Sequence, residues 1–279
     1  MNFEMKKNIL ASMALLTVIT AFFIFACNKT EYNEPSSNDS LTDIDLKKLE
    51  SIEEFEKLMQ KGAKVNNEGL EYVFEKLQKV ESVKDFMPVA KSSIVDFVKT
   101  NSFFKSDVEL SIKTTETIFE SFIEIYGCKS CNNRLWFEKD EELLSDGQKM
   151  WLNRINYVID KYDDVNKMII DLNCISKDVL KEGCPNEQYV VIVAVEIAKA
   201  SAGYWYEKHL NWANLCHSHF SKSKIGVTKS EKNDCFLDNL IKADVKGAIA
   251  GWLRGHPGAG VTSVTGGVSG AVAVFVQEL

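Results

Sequence analysis

The chain has 279 residues, with 33 basic and 40 acidic side chains and a net charge of −7. An acidic chain with no long basic block argues against nucleic acid as a partner and against electrostatic docking on anionic lipid. Only four prolines, Pro35, Pro88, Pro185 and Pro257, interrupt a composition rich in Lys, Glu, Leu, Ile and Val, which points to long helices.

The first element is an export signal. Lys6 and Lys7 form a short positive segment, and the uncharged run Ile9 to Phe25 follows it. That run suits the apolar region of a signal peptide and lies at the lower edge of what spans a bilayer. It ends Ile24-Phe25-Ala26-Cys27, with a small residue directly before a cysteine. This stretch resembles a bacterial lipoprotein signal peptide. The resemblance implies cleavage before Cys27 and diacylation of its thiol, although Phe25 departs from the pattern. Two or more acyl chains hold a protein durably on a membrane, so the mature chain then needs no spanning helix. Residues 1–26 carry +1, so the mature chain carries −8.

Asn28 to about Thr42 (NKTEYNEPSSNDSLT) has one aromatic residue and a Ser/Asn/Asp cluster, and reads as a flexible tether. In a source with two membranes, Asn28, where an Asp would imply inner-membrane retention, leans the address towards the outer membrane. The expected division is therefore signal 1–26, lipidated tether 27–43, helical domain 44–235 and glycine-rich hairpin 236–279.

Helical periodicity governs the rest. Ser51-Ile-Glu-Glu54 has the form of a capping box, and Ile52, Phe55, Leu58 and Met59 continue from it on one face. Leu70, Val73, Phe74, Leu77 and Val80 repeat the spacing. Ser106-Asp-Val-Glu109 predicts a second capped helix, with Val108, Ile112, Phe119, Phe122, Ile123 and Tyr126 inward and Gly127 as its stop. A further helix is expected from about Asp140 to Tyr162, with Trp151, Ile155, Val158 and Ile159 on one side. Tyr189 to Tyr206 (YVVIVAVEIAKASAGYWY) reads as a central buried helix, in which Glu196 pairs with Lys199 or faces solvent. No convincing two-residue alternation appears, and the predicted class is all-α.

Six cysteines remain: Cys128, Cys131, Cys174, Cys184, Cys216 and Cys235. An even number in an exported chain favours disulfides, although six cysteines allow about 15 connectivities. The preferred reading staples three loops: Cys128 to Cys131, Cys174 to Cys184, and Cys216 to Cys235. Two alternatives stand beside it. Cys128-Lys-Ser-Cys131 has redox-motif spacing without the βαβ pattern such sites occupy. Cys216, His217, His219 and Cys235, with His209 nearby, offer zinc ligands in a spacing that matches no familiar finger.

Eight of fifteen glycines fall between Gly247 and Gly270. Gly247, Gly251 and Gly255 recur every four residues, as do Gly266 and Gly270, around a turn at Gly255-His-Pro-Gly-Ala-Gly260. A helical hairpin follows, about Asp234 to Arg254 and Thr262 to Gln277. Glycine costs about 1 kcal/mol against alanine inside a helix, so this density needs close backbone approach to justify it. The stretch resembles glycine-zipper hairpins, including those of class II bacteriocin-like peptides, which implies membrane insertion or self-association. Lys242, Asp244, Lys246 and Arg254 oppose insertion, and the other reading is a tightly packed terminal hairpin in the domain core.

No H-E-x-x-H, G-x-S-x-G, phosphate-loop or dinucleotide fingerprint occurs. Neither catalysis nor a cofactor is expected. The expected function is that of a non-enzymatic binding or interaction domain, held in the cell envelope by its lipid and meeting an unidentified envelope protein or ligand. The alternatives are a membrane-active or antibacterial protein working through the hairpin, and an envelope enzyme whose motif is not legible.

Overall fold

Helix formation begins at the capping serine. Ser51 Oγ accepts a hydrogen bond from the Glu54 amide at 3.2 Å and starts α1 (Ile52–Leu77). The bond satisfies an amide that no helical carbonyl reaches. Both apolar stripes read from this part of the chain, except Val80 beyond its end, belong to one helix, which buries Phe55, Met59, Leu70, Val73 and Leu77. The computed structural model describes residues 51–126, 134–220, 231–255 and 260–277. All of these belong to one compact unit, and among them the structure is all-α, with no strand.

A short 3-10 segment (Val83–Asp85) leads to α2 (Phe86–Thr100), and another (Ser102–Phe104) leads to α3 (Val108–Tyr126). The cap of α3 is Asp107 rather than the expected Ser106. The Ser111 amide donates to the Asp107 carbonyl at 2.9 Å, while the Ser106 hydroxyl turns to the Asp107 carboxylate. The helix expected from Asp140 to Tyr162 is two elements: a 3-10 segment (Glu138–Leu143) and α4 (Asp146–Lys161). They part at Leu144 and Ser145. Ser145 and Gln148 form a reciprocal capping box there, which gives α4 its own start.

Asp164 caps α5 (Val165–Glu182) by accepting from the Asn166 and Lys167 amides. The expected central helix is α6 (Pro185–Phe220), 36 residues long. Proline at its first position lacks only an amide that would have no helical partner. Val190 to Val195 are completely buried, as an element apolar on all sides requires. Glu196 pairs with Lys199 Nζ at 2.5 Å but is buried rather than solvated. Burial raises its pKa, and Lys199 opposes that rise.

The hairpin consists of α7 (Glu231–Arg254) and α8 (Gly260–Gln277). Every residue of α8 from Gly260 to Val276 is buried, and the helix packs against α1, α2, α3, α6 and α7. Those five helices surround it, while α4 and α5 pack outside them against α6 and α7. The glycines explain how α8 fits. A Cβ at Gly247 would overlap the Gly266 carbonyl oxygen, one at Gly266 would overlap that of Gly247, and one at Gly251 would overlap that of Thr262. At Gly270 the obstacles are the Ala243 carbonyl and the Phe122 ring, and at Gly255 the Thr262 hydroxyl. The two backbones therefore touch directly, recovering dispersion contact that side chains would have blocked. Two of the α8 hydroxyls avoid much of the usual cost of burying polar groups, whereas Ser263 Oγ is buried without a hydrogen bond. Thr265 Oγ1 donates to the Thr262 carbonyl at 3.0 Å, and Ser269 Oγ donates to that of Thr265 at 2.6 Å.

Candidate functional site

Three features outside ordinary core packing could carry chemistry. The first is a groove of about 520 Å³ between α4 and α5, lined by Met150, Asn153, Arg154, Tyr157, Asp171 and Cys174, with Val158 and Ile175 at its floor. The amphipathic pattern that buries Trp151, Ile155 and Val158 leaves the opposite face of α4 outward, and there Met150 is 51% and Tyr157 64% exposed. Ile170 on α5 is 60% exposed. Polar groups frame the apolar surface. Arg154 pairs with Asp178 at 2.7 Å, and Asp171 accepts from the Tyr162 hydroxyl at 2.6 Å and from Lys161 at 3.4 Å. These hydrogen bonds hold the Asp171 carboxylate below its usual pKa, the Tyr162 bond contributing most.

The second feature is a smaller cavity, about 140 Å³, bounded by Tyr162, Met168, Tyr206, His209, Asp163 and Asp238. His209 Nδ1 lies 3.1 Å from the Trp205 carbonyl and 3.0 Å from that of Tyr206. A proton on Nδ1 satisfies those acceptors and leaves Nε2 as the basic nitrogen. Among the described residues no group of three or more His, Cys, Asp or Glu side chains is arranged to hold a metal.

The third feature is buried. Asp244 on α7 has no exposed surface, and its Oδ2 accepts from Asn66 Nδ2 on α1 at 3.1 Å. Burial pushes its pKa up to about 7, against the smaller opposing influence of the Ser201 hydroxyl and then of Asn66. Close by, the Tyr204 hydroxyl accepts from Trp212 Nε1 at 3.0 Å and donates to Glu71 Oε2 at 3.2 Å. Burial, the largest influence, raises the Tyr204 pKa, so this phenol stays neutral.

The cysteine reading needs one correction. No disulfide joins Cys174 to Cys184, both of which are exposed. Cys174 is not at a helix end but midway along α5, and Cys184 follows the end of that helix. Ten residues of roughly helical rise separate them by about 15 Å, and a disulfide needs Cα atoms closer than about 7 Å. Cys27, Gly127, Cys128, Cys131 and His256 lie outside the described residues, as do the side chains of Cys216, His217, His219 and Cys235. Of the glycines spaced by four, only Gly247 and Gly266 face each other across α7 and α8; Gly251 and Gly255 face Thr262, Gly270 faces Ala243 and Phe122, and Gly267, which admits Asn66 and Asp244, lies outside that spacing. Comparison with family models, with curated proteins and with solved structures returns no match.

Proposed function

We propose that this chain is a lipid-anchored protein of the cell envelope whose helical domain binds a partner and catalyses no reaction, with the α4–α5 groove as its recognition surface. The observation that carries the binding reading is the outward exposure of Met150 and Tyr157 on a groove wall whose other face is well packed. An exposed apolar groove rimmed by charged residues is a common form of protein-binding surface. The anchoring half of the reading rests on the signal ending at Cys27.

A photoreactive side chain placed at Tyr157 in the full-length, membrane-held protein tests the groove. The expected result is a discrete cross-linked species that is absent when the probe stands at exposed Lys79. It should also disappear in Met150→Glu with helix content unchanged. Equal adducts from both positions, or none from Tyr157, would refute the groove as the recognition surface.

Action through the hairpin is the second reading. It is favoured by α8 alone, whose 18 residues are long and apolar enough to cross a membrane by length and composition. The same helix is 89% buried among its neighbours, and insertion would require it to leave them.

A further inference from the structure

The hydrogen bond between Asn66 and Asp244 uses only half of each group. Asp244 Oδ1 and Asn66 Oδ1 are both buried and make no hydrogen bond, the Ser201 hydroxyl standing near the carboxylate without closing one. Both crowd the same glycine: a Cβ at Gly267 would lie 2.5 Å from Asn66 Oδ1 and 2.6 Å from Asp244 Oδ1. An ionised carboxylate has no proton to offer the amide oxygen, and two lone-pair atoms turned to one side of a dry core repel each other. A carboxylic acid and a primary amide are complementary on both edges. The amide N–H donates to one carboxyl oxygen, and the carboxyl O–H donates to the amide oxygen, so that one ring satisfies all four atoms.

We propose that Asp244 is held as the neutral acid in a two-bond ring with Asn66, which makes the junction of α1, α7 and α8 a proton-dependent latch on the glycine hairpin. The surroundings offer no charge to replace that proton. From α6 the facing groups are Ser201 and Tyr204. The Glu196–Lys199 pair of the same helix is closed on itself, and Glu71 on α1 is engaged by Tyr204 and Lys208. Of the other charged side chains described on α7, Lys242 is answered by Asp160 on α4 and Arg254 by Asp140 on the 3-10 segment, Lys246 lies over the Phe137 ring, and Asp238 borders the small cavity beside His209. From α3, Ser111 and Thr115 are neutral, and α8 has no titratable side chain between Gly260 and Gln277.

Folded Asp244 titrates above its ordinary value of 3.8, at about 7, so between those limits the folded state holds a proton that the unfolded state has released. Stability is therefore greatest below about pH 4, falls as pH rises through that window, and is flat above it. The folding equilibrium constant should drop about tenfold per pH unit from this group alone. Asp244→Asn replaces the acid–amide ring by an amide–amide ring and should abolish that slope. Infrared difference spectra of the full chain in detergent, wild type minus Asp244→Asn, should show a protonated carboxyl carbonyl below neutrality that is replaced by a carboxylate well above it. If Asp244→Asn does not fold, Asn66→Leu serves in its place and should shift the carbonyl band to the frequency of a singly bonded acid. A carboxylate signal at pH 5, or an unchanged pH slope in folded Asp244→Asn, would overturn the proposal.

Discussion

Gly247→Ala is expected to destabilise the domain by about 3 kcal/mol, although alanine is the better helix former by about 1 kcal/mol. The added methyl would sit inside the Gly266 carbonyl oxygen, which is backbone and cannot rotate aside. The overlap is relieved only if α7 and α8 separate, and that opens voids along the most buried helix of the fold. Gly203→Ala is the control. Gly203 is also helical, on α6, but has nothing within 4 Å of its would-be Cβ. There the propensity gain should appear unopposed, as stabilisation of about 0.5–1 kcal/mol. Urea denaturation midpoints of the two variants check both signs. Two shifts in the stabilising direction would mean that the α7–α8 backbones do not touch.

Arg254→Met is expected to cost about 3–5 kcal/mol near neutral pH, because it strands a buried carboxylate. Arg254 Nη2 donates to both Asp140 oxygens, at 2.7 and 2.8 Å, and so ties the 3-10 segment to the end of α7. Burial already raises the Asp140 pKa, and Arg254 is the largest influence restraining it. Without Arg254 the pKa rises further. A raised folded-state pKa means that stability declines as pH climbs from the unfolded value through the folded one, so the loss should shrink in acid, where Asp140 is protonated in both states. The double variant Asp140→Leu with Arg254→Met should recover much of the loss, since an apolar pair of similar volume leaves no orphaned charge. Denaturant titrations of the single and double variants at pH 4 and pH 7 measure this. Equal losses at both pH values and no recovery would assign the pair to ordinary packing.

Much of this architecture was legible because burial imposes period. Phe55 and Met59, Leu70 to Leu77, and Trp151 to Ile159 each recur at the spacing that puts one face inward, and each is buried. The α6 segment announced itself by an apolar run with no breaker, and the hairpin by glycines four residues apart. What escaped is what depends on partners distant in the chain. Lys242, Asp244 and Lys246 resemble a solvated charged face, and nothing local shows that their neighbours are Asp160, Asn66 and Phe137. Asp140 looked like the beginning of α4 because the Ser145 cap interrupts a sequence of continuous helical character. Cys174 invites pairing with Cys184 because both lie near Pro185 in the chain, yet it sits midway along α5 on its exposed side, away from the buried stripe of Met168, Leu172 and Ile175. The groove escaped as well, since single exposed apolar residues such as Tyr157 are ordinary until a second helix is seen beside them.

The proposed function has this helical domain meet its partner from a membrane, held there by acylated Cys27. Incorporation of labelled palmitate into the full-length protein tests it most directly. Label is expected in the wild-type chain and none in Cys27→Ala, with the variant leaving the membrane fraction. Label retained by Cys27→Ala, or a wild-type chain that takes up none, would contradict it.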